Sequence, residues 1–230
     1  MKVAILYSGG KDSTFAIDAV MKKGWEIAYL LSVKPTRKDC FLFHYATVEH
    51  TKSLAEILGI KHILTSCDVA DPVQEANIVK EIIVKNPVDA VVLGGVGLQV
   101  TQLTSIQKAL LPYGIETFAM HAGEEHDKVM LEAIKAGYEI IITQVASDGL
   151  AGWLGKRLTL ENFEKFKSDS KKFGFHVGGE GGYYDTLVVD GPIFSKKLSL
   201  GEMKITMDDA YCGHVTVVSV KVVEKVLARE

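Results

Sequence analysis

Leu6-Tyr7-Ser8-Gly9-Gly10-Lys11-Asp12-Ser13 joins a mostly apolar stretch, Lys2–Tyr7, to one with helical spacing, Ser13–Lys23. A helix start presents backbone N–H groups without intrahelical partners and the positive end of the helix dipole. Gly9 and Gly10 let the chain curl close around an anion and turn N–H groups toward it. Lys11 adds a mobile positive charge, and Ser8 and Ser13 add hydroxyl donors. The segment therefore reads as a phosphate-binding loop between a first strand and a first helix. It lacks both the GxxxxGK[ST] spacing of a Walker A loop and the GxGxxG of a dinucleotide fingerprint. The carboxylate of Asp12 would repel a neighbouring phosphate. A Mg²⁺ ion held by Asp12 between the two would remove that conflict.

The same strand–helix rhythm continues outward from this loop. Strands are expected at Trp25–Val33, Lys61–Thr65, Val88–Leu93, Ile115–Met120 and Tyr138–Val145. Helices are expected at His44–Leu58, Pro72–Lys85, Thr101–Leu111 and Glu125–Ala136. Asp71 suits the cap of the third helix, and Pro72 its first position. Such alternation predicts an α/β fold, a doubly wound parallel sheet with helices on both faces. Ligands on these sheets bind at the carboxyl ends of the strands, here the segments after Tyr7, Val33, Leu93 and Met120. Gly94-Gly95 after the fourth strand would let the backbone approach a bound adenylate. The rhythm changes near residue 146, with a helix over Thr159–Lys172, a glycine-rich turn and strands at Leu187–Asp190 and Val215–Val223. The expected organisation is an ATP-binding domain over 1–145 and a smaller α+β substrate region over 146–230.

The formal net charge of -3 supplies no general pull toward nucleic acid or an anionic membrane, so an anionic ligand needs a local site. No apolar run reaches the roughly 18 residues a membrane helix needs. The N-terminus runs straight into the loop, leaving no room for a signal peptide, and a cytoplasmic protein is expected. Cys40, Cys67 and Cys212 are far apart with no CxxC pair, which argues against zinc, iron–sulfur and dithiol chemistry. His121, Glu124, Glu125 and His126 read as an exposed loop and helix start. Lys165, Lys167, Lys171 and Lys172 read as a solvated helix face.

Ser8-Gly9-Gly10-Lys11-Asp12-Ser13 in this position resembles the PP-loop of the N-type ATP pyrophosphatases, a group with a HUP-like fold. The resemblance implies that ATP binds with its β- and γ-phosphates in the loop. A substrate oxygen would attack the α-phosphorus, and pyrophosphate would leave. Lys11 and Asp12 would serve catalysis as well as binding. Over nearly its whole length the chain resembles the diphthine–ammonia ligase family within that group. Phe43-His44-Tyr45, Trp153-Leu154-Gly155-Lys156-Arg157, His176-Val177-Gly178-Gly179-Glu180-Gly181-Gly182 and Asp190-Gly191-Pro192-Ile193-Phe194 carry that likeness.

The family resemblance implies amidation of diphthine on translation elongation factor 2, with ATP, Mg²⁺ and ammonium consumed or required. It places His44 over the nucleotide and Glu180 among the catalytic groups. Trp153 and Arg157 would form a lid over the acceptor, with Gly179, Glu180, Tyr183 and Asp185 around it. No nucleic acid or membrane partner is implied, and a homodimer stays open. The chain also departs from the family's pattern. Tyr183 stands where the family usually has a glutamate, no arginine occurs in Gln99–Ser105, and Ala119-Met120-His121-Ala122 replaces the usual Pro-Leu-Trp. An aromatic face at Tyr183 would still suit a trimethylammonium through cation–π attraction. Two other readings remain: a PP-loop enzyme for a different small carboxylate or carbonyl acceptor, and a sensor that binds ATP or AMP without turnover.

Overall fold

Val3, Ala4 and Ile5 are wholly buried, as a strand flanked on both edges and covered by helices must be. They lie in β1 (Lys2–Leu6), the centre of an all-parallel sheet in the computed structural model, which describes residues 1–36, 48–95 and 100–225. The chain divides into two compact units. One holds Met1–Lys52 and Ile60–Glu125, and the other holds Ser53–Gly59 and the residues from His126 onward.

In the first unit β1 leads to α1 (Lys11–Lys22), β2 (Glu26–Pro35), a 3₁₀ turn at Val48–His50, and the start of α2 (Thr51–Leu58). Then come β3 (His62–Cys67), α3 (Pro72–Lys85), β4 (Ala90–Leu93), α4 (Val100–Leu110) and β5 (Glu116–Ala119). The strand order is β3-β2-β1-β4-β5. The chain winds outward through β2 and β3, then returns to the other edge of β1 for β4 and β5. The order thus reverses between β1 and β4, and crevices at such reversals are where open α/β sheets hold ligands. Ala4, Leu31, Val91 and Leu93 of the strands pack with Val79 and Ile83 of α3 and Ile106 and Leu110 of α4. Asp71 caps α3 as expected, its Oδ1 accepting from the N–H groups of Val73 at 3.1 Å and Gln74 at 2.9 Å.

The second unit holds α5 (His126–Lys135), β6 (Glu139–Ala146), a 3₁₀ turn at Ala151–Trp153, β7 (Arg157–Leu158) and α6 (Leu160–Phe173). It continues with β8 (Tyr184–Asp190), β9 (Lys197–Leu200), β10 (Met203–Met207), β11 (Cys212–Val217) and β12 (Val220–Val223). Here the structure corrects the expectation of a sixth parallel strand: β6 pairs antiparallel with β7, β8 and β11. Its run Ile140-Ile141-Ile142 is buried, and an apolar run signals cover on both faces without fixing the direction of its neighbours. The single strand expected over Val215–Val223 is likewise two, in different sheets. β11 pairs with β10 and β6, and β12 pairs with β9. Among the described residues no helix is long and apolar enough to cross a membrane.

Candidate functional site

The loop between β1 and α1 is pinned from the strand side. The N–H of Tyr7 donates to the carbonyl of Leu31 at 2.9 Å, and the carbonyl of Tyr7 accepts from Ser32 Oγ at 2.6 Å. Ser32 Oγ in turn sits 2.8 Å from His62 Nε2. Burial raises the Tyr7 hydroxyl well above the ordinary tyrosine range, against a smaller lowering by the nearby Thr14 side chain. Tyr7 is therefore a neutral, fixed platform from which the loop departs.

Gly9 takes φ 79°, a conformation that glycine adopts without steric cost, and the chain then turns into α1. Gly10 caps that helix in extended conformation, with no side-chain hydrogen bond to the cap. A helix start without a capping side chain suits an incoming anion. The two serines brace the loop. Ser8 Oγ accepts from the Gly10 N–H at 3.3 Å, while Ser13 Oγ donates to the Gly10 carbonyl at 3.2 Å and accepts from the Ser8 N–H at 3.3 Å. These bonds are long, so both hydroxyls can be drawn to a stronger acceptor at little cost.

Lys11 corrects one expectation. Its side chain is only 4% exposed, and Nζ lies 2.6 Å from Oδ2 of Asp12, so it is a held charge rather than a mobile one. The same pair answers the question raised by a carboxylate beside a phosphate site: the ammonium offsets it locally. Asp12 keeps about a third of its side-chain surface. Among the described residues no group of three or more His, Cys, Asp or Glu side chains could hold a metal ion. A lone carboxylate that shares its ion with phosphates is the arrangement Mg²⁺ usually takes, and Asp12 fits that role.

Gly94 completes the loop's surroundings. A Cβ at this position would stand 2.4 Å from the carbonyl carbon of Asp12 and 2.5 Å from the amide nitrogen of Ser13. The end of β4 thus touches the backbone of the loop that follows β1, across the point where strand order reverses. The carbonyl of Gly95 accepts from the N–H of His121 at 3.3 Å, which links β4 to the segment after β5. Ser8, Gly9, Gly10, Lys11, Asp12, Ser13 and Gly94 are therefore one assembly. Phe43, His44 and Tyr45, and with them the expected role of His44, lie outside the described residues, as does Gln99.

The second unit carries the glycine-rich turn. Gly179, Gly181 and Gly182 all have positive φ, which lets the chain reverse tightly around Glu180. Glu180 is buried rather than displayed. Its Oε1 lies 3.8 Å from Nε2 of His126, and the two side chains are 6% and 9% exposed. The imidazole of His126 meets that of His176 edge-on, with centroids 4.6 Å apart and an interplanar angle of 88°. Sequence reasoning placed His126 in an exposed loop and helix start. Ala122, Gly123, Glu124 and Glu125 are indeed exposed, but His126 turns inward. The missed signal was helical spacing, since His126 lies four residues before Met130, a core residue of α5.

Tyr184 anchors the turn, its hydroxyl donating to the Val177 carbonyl at 2.5 Å. Tyr183 is half-buried, and its carbonyl accepts from the N–H of Ala146 at 2.8 Å. Asp185, also half-buried, pairs with Gln144 in the register of β8 with β6.

Trp153 and Arg157 are held by partners of their own. Trp153 is buried, stacks edge-on against Phe166 at 4.9 Å, and donates from Nε1 to Oδ2 of Asp169 at 3.0 Å. Phe166 in turn meets Tyr184 at 5.5 Å and Phe175 at 5.3 Å, so Trp153 reaches the turn through an aromatic relay. Arg157 is exposed and pairs with Glu139 at 2.8 Å. Lysines 165, 171 and 172 are exposed as expected, Lys165 while pairing with Asp169 at 2.7 Å, whereas Lys167 is half-buried and pairs with Asp127 at 3.0 Å.

Comparison with known proteins agrees with both halves of this picture. The family model of the diphthamide synthase N-terminal domain matches residues 1–116, and that of the diphthamide synthase C-terminal domain matches residues 125–223. A diphthine–ammonia ligase of Homo sapiens is 27% identical over 237 residues, which cover 91% of this chain and 86% of that protein. One from Danio rerio is 28% identical over 236 residues, covering 92% of this chain and 91% of its own length. One from Schizosaccharomyces pombe is 28% identical over 240 residues and 96% of this chain, but the chain spans only 39% of that longer relative. The N-terminal match carries the phosphate-loop assembly, the C-terminal match carries the glycine turn around Glu180, and on both the chain belongs to the diphthamide synthase family.

Proposed function

We propose that the protein is an ATP-dependent ligase that amidates diphthine on translation elongation factor 2, with ammonium as nitrogen donor and AMP and pyrophosphate as products. One observation carries the reading. The loop Ser8–Ser13 opens α1 without a side-chain cap, at the reversal of strand order, with Gly94 against its backbone. That is a cradle for the β- and γ-phosphates of ATP.

The chemistry follows from what such a cradle can stabilise. A carboxylate oxygen of diphthine attacks the α-phosphorus, and the bond from that phosphorus to the bridging oxygen breaks. The electron pair leaves with pyrophosphate, whose growing negative charge meets the loop's backbone N–H groups and the Lys11 ammonium. Donors aimed at charge that develops in the transition state act as electrostatic catalysts. Ammonia then attacks the activated acyl carbon, AMP leaves, and the proton lost from nitrogen passes to solvent. Asp12 would hold Mg²⁺, which supplies further charge neutralisation to the phosphates when bound. The missing side chain of Gly94 lets the end of β4 close against the loop that would hold the phosphates.

In the second unit the acceptor carries a fixed cation, its trimethylammonium. Glu180 supplies a buried carboxylate for it, and Tyr183 and Asp185 supply an aromatic face and a second carboxylate. Tyr183 in place of a glutamate favours one alternative: a different small acceptor on the same ATP chemistry. Pyrophosphate release is measured with ATP, ammonium and diphthine-bearing elongation factor, omitting each in turn. Release that requires all three, with a 1 Da loss of mass on the factor (OH replaced by NH₂), is the expected result. Release with another carboxylate but not with the factor moves the assignment to that acceptor. ATP binding without release under any condition makes the protein a sensor.

A further inference from the structure

We infer that His126 is a positioning residue for Glu180, and that Gly178 is the gap in the turn that admits it. The inference rests on the proposed function only for what Glu180 receives; the coupling between the two side chains stands on geometry alone. His126 is the first residue of α5, and Met130 one turn on is buried, so the helix aims both side chains into the unit. Its Nε2 lies 3.8 Å from Oε1 of Glu180, an ion-pair distance when the imidazole carries a proton. His176 fixes the plane of that imidazole from the edge, and Nδ1 of His176 accepts from the N–H of Gly178 at 3.1 Å. The backbone of the turn thus holds the ring that holds His126.

Gly178 supplies the second, independent observation. A Cβ there would stand 2.2 Å from Nδ1 of His126 and 2.7 Å from its Cγ. Its φ is not positive, so the backbone places no demand for glycine at this position; the space taken by His126 does. His126 and Gly178 are thus fitted to one another.

Its consequence is electrostatic. A carboxylate as buried as Glu180 is costly to ionise without a nearby cation. A histidine supplies one in the neutral pH range and gives it up again. His126 keeps Glu180 charged and aimed while the site awaits its cationic acceptor. When the trimethylammonium arrives, its permanent charge takes over that task. His176 and Glu180 of the turn face His126, and Asp127 beside it on α5 is engaged by Lys167 of α6.

Two measurements test this. Histidine side-chain NMR titration of the full chain compares wild type with Glu180→Gln. Loss of the carboxylate is expected to lower the His126 midpoint by about half a unit or more, and an unchanged midpoint overturns the coupling. Amidation kinetics then compare His126→Asn, Gly178→Ala and the double variant. Each single change is expected to raise KM for the diphthine-bearing factor about tenfold while KM for ATP holds, and the double variant should be no worse than His126→Asn alone. Additive losses, or a fall in kcat with the acceptor KM unchanged, overturn the positioning role. If wild type amidates nothing, the assignment of Glu180 to the acceptor falls with the proposed function, and the titration alone decides whether His126 holds Glu180.

Discussion

Gly94 and Asp12 touch through backbone: a Cβ on Gly94 would lie 2.4 Å from the carbonyl carbon of Asp12, closer than real Cβ atoms approach. The contact joins the end of β4 to the first turn of α1, so the strand-order reversal and the phosphate loop are one piece of structure. Gly94→Ala must push the loop aside. Overpacking of this kind costs about 1–3 kcal/mol. The expected outcome is a lower melting temperature together with weaker ATP binding by calorimetry. A variant that melts and binds ATP like wild type would show that the loop does not depend on this contact.

Lys11 and Asp12 should behave as a unit. Lys11→Ala leaves the Asp12 carboxylate beside the phosphates without its ammonium at 2.6 Å. ATP affinity is expected to fall at least about tenfold, or about 1.4 kcal/mol. Adding Asp12→Asn to Lys11→Ala should recover part of that loss, because the repulsion goes with the carboxylate. Calorimetric titration of both variants with ATP in the absence of Mg²⁺, where Asp12 has no metal to hold, checks this, and wild-type affinity in Lys11→Ala would remove the lysine from the site.

The junction at Ser8–Ser13 was legible because two glycines between an apolar run and a stretch with helical spacing mark a tight turn into a helix start. The parallel sheet was legible up to β5 for a similar reason: caps such as Asp71-Pro72 mark helix starts locally. β6 was not, because Ile140-Ile141-Ile142 reports burial and says nothing of strand direction. β7, of two residues, is too short to leave a periodic signal, and β10 is largely exposed. His126 was missed for a different reason. Acidic neighbours on one side made it look like a surface residue, and only the turn from far along the chain shows what it faces.

Trp153 acts as an anchor of α6 in this structure. Its Nε1 donates to Asp169, whose carboxyl lies below the usual carboxylate range, chiefly because Lys165 hydrogen-bonds to it and with the Trp153 bond adding. Asp169→Ala strands a buried N–H and is expected to cost about 1–3 kcal/mol in chemical denaturation. Trp153→Phe keeps the ring against Phe166 and should cost the lower end of that range. If either variant keeps full stability but loses acceptor binding, Trp153 is a lid rather than an anchor.

His50 makes the first unit sensitive to mild acid. Burial lowers its pKa, with repulsion from Lys34 adding to the effect and attraction to Glu49 opposing it. The unfolded chain titrates near 6.5. Between the lowered folded value and about 6.5 the unfolded state binds more protons, so stability falls as pH drops through that window. Melting temperatures from pH 7.5 down to 5 should decline, and His50→Asn should flatten the decline. An equal decline in the variant would assign the acid sensitivity to other groups.

The most direct test of the account follows the label in [γ-³²P]ATP during turnover with ammonium and diphthine-bearing elongation factor. A loop that cradles the β- and γ-phosphates while the α-phosphorus reacts predicts labelled pyrophosphate and unlabelled AMP in equal amounts. Labelled orthophosphate with ADP would mean cleavage at the γ-phosphorus and would contradict the role given to Ser8–Ser13.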